Sequence, residues 1–142
     1  MSTTTLDNAR SGVASYSGPL ALLARILLSI MFILAGYAKL TGIAGTSGWF
    51  GSLGIPAPTA VAVLVGLLEF FGGLAILVGY QTRLAAIALA VFTVAASLVA
   101  HLDFSDQMQM LMFQKNMAIT GGFLALAAFG AGALSIDGRR AR

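Results

Sequence analysis

Between Thr59 and Val78, twenty consecutive residues contain a single ionisable side chain, Glu69. A run of about twenty apolar residues is the length needed to cross a hydrocarbon core of about 30 Å. Inside such a core the backbone can satisfy its own polar groups only as a helix or a closed barrel. The pattern recurs. Leu20 to Ala38 holds one charge, Arg25, while Leu84 to Ala100 and Met117 to Leu134 hold none. Charged residues make up 9% of the 142, against about 25% in soluble domains, too few to cover a water-facing surface. The fold expected is therefore an all-α membrane protein, a bundle of four transmembrane helices embedded in a lipid bilayer.

The boundaries follow from the turn chemistry. Residues 1–18 are rich in Ser, Thr and Gly and read as a flexible tail. The transmembrane domain is assigned to residues 19–137 and a short basic tail to 138–142. Pro19 and Pro58 stand where a helix tolerates proline, in its first turn. Gly79-Tyr80-Gln81-Thr82-Arg83 is a tight hairpin between the second and third spans, with Gly79 suited to the residue just past a helix end. The stretch from Lys39 to Pro58 is too apolar for a free loop and carries Trp49, so it is expected to form an interfacial segment between helices 1 and 2. Four spans would place both termini on one side, with Arg10, Arg83, Arg139, Arg140 and Arg142. The other side would carry Lys39, Lys115, Asp103 and Asp106. The positive-inside rule makes the arginine-rich side cytoplasmic.

Several function classes drop out. Without cysteine the chain can supply neither a disulfide nor thiolate ligands for an iron–sulfur cluster. One histidine excludes a bis-histidine haem within one protomer. No basic stripe is available to bind nucleic acid, and no metal site is predicted. Met108, Met110, Met112 and Met117 invite a copper(I) reading, but methionines at a membrane surface more often provide adaptable packing.

An ionisable residue inside the bilayer is costly and calls for a reason. Glu69 lies mid-span and Arg25 about six residues inside its own span. At about 1.5 Å per residue their depths differ by roughly 6 Å, so an Arg25–Glu69 ion pair is expected, as structural glue or as part of a proton relay. Helical spacing groups Arg25, Ser29, Gly36 and Lys39 on one face, and Gly66, Glu69, Gly73 and Tyr80 on another. Thr93, Ser97 and His101 form a third such row and Asn116 and Thr120 a fourth, so the rows would converge on one inward polar seam. The hydroxyls are expected mainly to bond back within their own helices. His101 ends the third span, as a proton relay or as a helix cap. Lys39, Lys115 and Asn116 would line the same mouth, with Asn116 either a ligand contact or an N-cap. Trp49 completes the candidate ligand-binding set.

These segments together resemble the DoxX family of small membrane proteins. The first helix is similar in Arg25-Ile26-Leu27-Leu28 and Ala35-Gly36-Tyr37-Ala38-Lys39-Leu40, and the first loop in Trp49-Phe50 and Leu53-Gly54-Ile55-Pro56-Ala57-Pro58. The second helix is similar in Gly66-Leu67-Leu68-Glu69-Phe70-Phe71-Gly72-Gly73, followed by the hairpin from Gly79. Phe113-Gln114-Lys115-Asn116-Met117-Ala118 and Gly121-Gly122 match the start of the fourth helix, and Ser135-Ile136-Asp137 the ending. The resemblance implies a multi-pass protein of the bacterial cytoplasmic membrane, a subunit of an oxidoreductase system interacting with quinone. Two alternatives stay open: a non-catalytic anchor or assembly subunit for a soluble redox partner, and a small-solute or ion transporter. A homo-oligomer is compatible with the Gly- and Ala-rich outer faces.

Overall fold

In a computed structural model, the backbone is described for residues 3–141 and the side chains for residues 17–141. Most of the expected tail over 1–18, including Arg10, therefore lies outside the described side chains. The elements are α1 (Thr3–Thr41), α2 (Ile43–Ser52), α3 (Pro58–Val78), α4 (Thr82–Ala100), α5 (Gln107–Phe129) and α6 (Ile136–Arg140). The described residues form no strand. Among the described residues three helical segments are long and apolar enough to cross a membrane: Ser17–Thr41 within α1, α3 and α4. Pro19 thus falls in the first turn of an apolar segment, inside a helix that also continues before it.

The expected fourth span needs correcting. Its helix starts ten residues earlier than Met117 and ends at Phe129 rather than Leu134. Asp106 caps the start, accepting from the Met108 N–H at 2.8 Å. Gly130 ends it with φ 85°, and Gly132 follows at φ 77°, conformations that a side chain resists. α5 has 23 residues, roughly 34 Å of helix, but Gln107, Gln109, Gln114, Lys115 and Asn116 make its first half polar. Asn116 consequently sits within the helix and is not its N-cap.

α1 packs chiefly on α3 and α4 on α5, with lesser α3–α4 and α1–α5 contacts closing the ring. The α1–α3 seam is set by glycines. A β-carbon on Gly36 would run into the backbone of Gly66 and Phe70, and one on Gly73 into Ile33. Small residues at these positions let two backbones approach closely, as helices in lipid require. Phe32, Ile76, Leu89, Phe123 and Leu126 form the buried core, with Phe32 and Phe123 edge to face at 5.2 Å. Ser29, Gly66, Glu69, Gly73, Thr93, Ser97 and Thr120 are all buried, as the inward seam requires, whereas Tyr80 is exposed.

The Lys39–Pro58 connection contains the short helix α2, whose Phe50 is buried against the bundle. Pro58 opens α3 as expected, and Gly79 ends it in the left-handed conformation at φ 70°. Gly79 is also needed for space, because a β-carbon there would crowd Ser135 and the Arg25 guanidinium.

Candidate functional site

The two ends of the bundle carry different polar chemistry. At the hairpin end, Arg25 is only 2% exposed and does not meet Glu69. Its Nε donates to Ile76 O at 3.0 Å and its Nη2 to Leu77 O at 2.7 Å. Its Nη1 donates to Ala131 O and Leu134 O, both at 2.8 Å. The reason is register. Ser29 faces Gly73 and Gly36 faces Gly66 and Phe70, so Arg25 falls level with Ile76 and Leu77. That is seven to eight residues, roughly 11 Å, along the helix from Glu69. The carbonyls it meets are the electronegative end of α3 and the turn after α5. The expected Arg25–Glu69 pair is absent because the glycine seam sets a different offset from the one span depths suggest.

Asp137 completes that end. Its Oδ1 accepts from Gln81 N at 2.9 Å and its Oδ2 from Thr82 N at 2.8 Å, so a residue of α6 caps α4. Its own N–H donates to Gly79 O at 2.9 Å. Burial opposes charge on this carboxylate, but the hydrogen bonds from Thr82 and Gln81, with Arg140 nearby, hold its pKa below the usual value.

At the opposite end a cavity of about 570 Å³ opens among α1, α2, α3, α4 and α5. Its wall includes Lys39, Trp49, Glu69, His101, Lys115 and Asn116, every sequence-derived site residue except Arg25. The remaining wall is mainly apolar, including Met31, Phe32, Phe50, Val61, Val65, Phe92, Ala96 and Val99. The true partner of Glu69 is Lys39: Nζ lies 2.7 Å from Oε2, with the lysine side chain 21% and the glutamate side chain 7% exposed. Two charges removed from water are tolerable because they meet each other.

The Asn116 amide donates to Ser97 Oγ at 2.9 Å, tying α5 to α4 beside the cavity. Ser97 Oγ donates to Thr93 O at 2.8 Å, Thr93 Oγ1 to Leu89 O at 2.6 Å, and Thr120 Oγ1 to Asn116 O at 2.8 Å. These hydroxyls bond within their own helices, as expected. Lys115 Nζ rests 3.2 Å from Met112 Sδ. His101 follows the last turn of α4, its N–H bonded to Ser97 O at 3.0 Å. Its Nδ1 is buried and without a hydrogen-bond partner. Burial, reinforced by the positive charge of Lys115, lowers the imidazole pKa, so the ring is neutral near pH 7.

Sequence reasoning missed Asp137 as a helix cap and the backbone targets of Arg25. The segment Ser135-Ile136-Asp137 was visible as a motif, and an acid ahead of arginines suggests a turn, but nothing local names a distant helix as its target.

This is a helical membrane protein with a polar-headed apolar cavity at one end and a buried arginine pin at the other. The DoxX family model matches residues 20–102, and the chain belongs to that family. It is 49% identical over 116 residues to inner membrane protein YqjF of Escherichia coli (strain K12), covering 82% of this chain and 88% of that protein. Inner membrane protein YphA of the same strain is 34% identical over 125 residues, covering 84% and 89%. A protein of Bacillus subtilis (strain 168) provisionally named oxidoreductase CatD is 30% identical over 115 residues, covering 76% and 84%. No solved structure matches this chain.

Proposed function

We propose that this DoxX-family protein binds a quinone in its cavity as a subunit of a membrane oxidoreductase system. The observation that carries the reading is the cavity itself. An apolar wall with a few convergent polar groups suits a ligand with an apolar body and a hydrogen-bonding head. The ammonium groups of Lys39 and Lys115 can donate to a ring carbonyl. The inner membrane names of two relatives and the oxidoreductase name of a third agree with this setting.

In the proposed arrangement α5 is the fourth membrane span and α2 lies along the interface. Both termini are cytoplasmic, by the arginine excess at the hairpin end. The cavity then opens toward the outer face, and electrons pass between the quinone and a partner protein. The Arg25 pin occupies the other end of the bundle, which favours a binding site over a transport path.

Purification in mild detergent and lipid extraction test the reading directly. Trp49 is the one tryptophan and lines the cavity, so a decyl-substituted benzoquinone should quench its fluorescence saturably. Glu69→Gln, which leaves Lys39 without its counter-charge, should weaken that binding about tenfold, the equivalent of about 1.4 kcal/mol. Unchanged affinity in this variant would remove Glu69 from the site. Lack of saturable binding, with a soluble redox protein co-purifying, would point to the anchor role.

A further inference from the structure

On the surface of the hairpin end lies a second pocket, of about 450 Å³, walled by the start of α4, the turn after α5 and the first residues of α6. Its walls are fixed from behind. Arg25 holds the Ala131 carbonyl at 2.8 Å, and the Gln81 and Thr82 N–H groups hold Asp137. Thr82 and Ala131 are buried. A ligand entering here meets a preformed surface, which lowers the ordering cost of binding.

Two opposite charges belong to this wall, Arg83 and Asp137. The guanidinium lies along Gly130, where a β-carbon would stand 3.8 Å from Nη2. The carboxylate sits at the Gln81 and Thr82 amides. Among the described residues neither forms an ion pair, so the two charges stand apart in one pocket. Arg83 has no hydrogen-bond partner among the described residues, and its donors are open. Each Asp137 oxygen accepts one backbone N–H and keeps room for another donor. Those two amides are used up by Asp137, so the helix start offers nothing to an anion. Arg140, the other cation near Asp137, sits over the Tyr80 ring at 5.1 Å and outside the pocket wall.

The spans set the depth of the pocket. α3 ends at Val78 and α4 begins at Thr82, and both are long and apolar enough to cross the membrane. The pocket is therefore level with the zone where hydrocarbon gives way to headgroups. The residues next to its wall are apolar and open: Leu84, beside Arg83, is 66% exposed and Phe129, beside Gly130, is 88% exposed.

We infer that this pocket binds the headgroup of a zwitterionic, amine-bearing phospholipid. The phosphate meets Arg83, the ammonium meets Asp137, and the acyl chains run past Leu84 and Phe129. A guanidinium fork matches phosphate geometry. A cation and a carboxylate that share a pocket without neutralising each other match a ligand with the same two charges on a short carbon arm. A lone anion would meet Asp137 as a like charge, and a lone cation would meet Arg83. The inference does not depend on the quinone reading, which concerns the other end.

The experiment is native mass spectrometry of the purified, delipidated full chain with three probes. They are a short-chain phosphatidylethanolamine, the matching phosphatidylmethanol, which has the phosphate but no ammonium, and free phosphoethanolamine. The ethanolamine lipid should bind about tenfold more tightly than the methanol lipid, the worth of one charge-assisted hydrogen bond. Arg83→Met should weaken both lipids by about the same factor. Asp137→Asn, which keeps an acceptor oxygen for the α4 cap, should abolish the preference by weakening the ethanolamine lipid alone. Loss of stability without a binding role would not separate the two lipids in this way. Equal affinities in the wild type, or a preference that survives Asp137→Asn, would overturn the inference. So would free phosphoethanolamine binding as tightly as the lipid, since the ligand would then be a soluble one. Should Asp137→Asn not fold, Arg83→Met, at an exposed position, still decides, because unchanged lipid binding there removes the site.

Discussion

At the hairpin end, Arg25 commits all three of its nitrogens to backbone carbonyls. At the mouth, Lys39 meets one carboxylate beside a cavity. Both cations belong to α1 and to one face of it, yet they serve opposite purposes. The planar guanidinium, with donors in a fixed fork, can join several carbonyls at once. The ammonium is a compact charge on a flexible stem and keeps N–H donors free. Inside the bundle, one end is consequently saturated and closed, and the other is left able to accept a further molecule.

Arg25→Met should break the comparison most severely. It takes the guanidinium donor from the Leu77, Ala131 and Leu134 carbonyls and leaves Ile76 O with the Gly79 N–H alone, at about 3–5 kcal/mol for a charged, buried hub. Thermal unfolding in detergent should show the loss, while the protein that remains folded should keep whatever affinity the wild type shows for the proposed quinone. A Met variant as stable as the wild type would remove the pin from this account. Next is the Lys39–Glu69 pair. A double-mutant cycle with Lys39→Met and Glu69→Gln should give a coupling of about 1–3 kcal/mol. Additive effects would mean that the pair is not formed in the membrane.

Asp137→Ala should cost about 1 kcal/mol, the usual worth of a lost helix cap, with no effect at the mouth. Because the Asp137 pKa is depressed in the folded protein, its stabilisation is present above the ordinary aspartate value and is lost as pH falls through the lower folded one. Urea titrations at descending pH should therefore converge for wild type and variant. The smallest effect belongs to His101. Its folded pKa is also lowered, so the unfolded chain binds more protons and stability should fall slightly as pH drops below about 6.5. His101→Phe should flatten that slope.

Much of the mouth was legible in the sequence. Lys39, Glu69, His101, Lys115 and Asn116 are rare polar residues at the ends or centres of apolar runs, and the cost of placing them in lipid marks them individually. The spans and the punctuation at Pro58 and Gly79 were legible for the same reason, because hydropathy and backbone conformation are local properties. Pairing was not. Whether Glu69 meets Arg25 or Lys39 depends on the offset between α1 and α3, which contacts at Gly36, Gly66 and Gly73 decide. The end of α5 was misplaced because apolar composition continues past Phe129 while the backbone turns at Gly130. The α4 cap by Asp137 joins residues 55 positions apart, beyond the reach of any motif.

The Arg25 pin also orders events in time. Its first two acceptors, on Ile76 and Leu77, exist as soon as α1 and α3 are side by side. The other two, on Ala131 and Leu134, and the cap from Asp137 are translated only after all four long helices have been made. The arginine must therefore wait, half satisfied, until the chain beyond α5 emerges from the ribosome. The hairpin end works as a clasp that cannot fasten until the last residues of the bundle have been made.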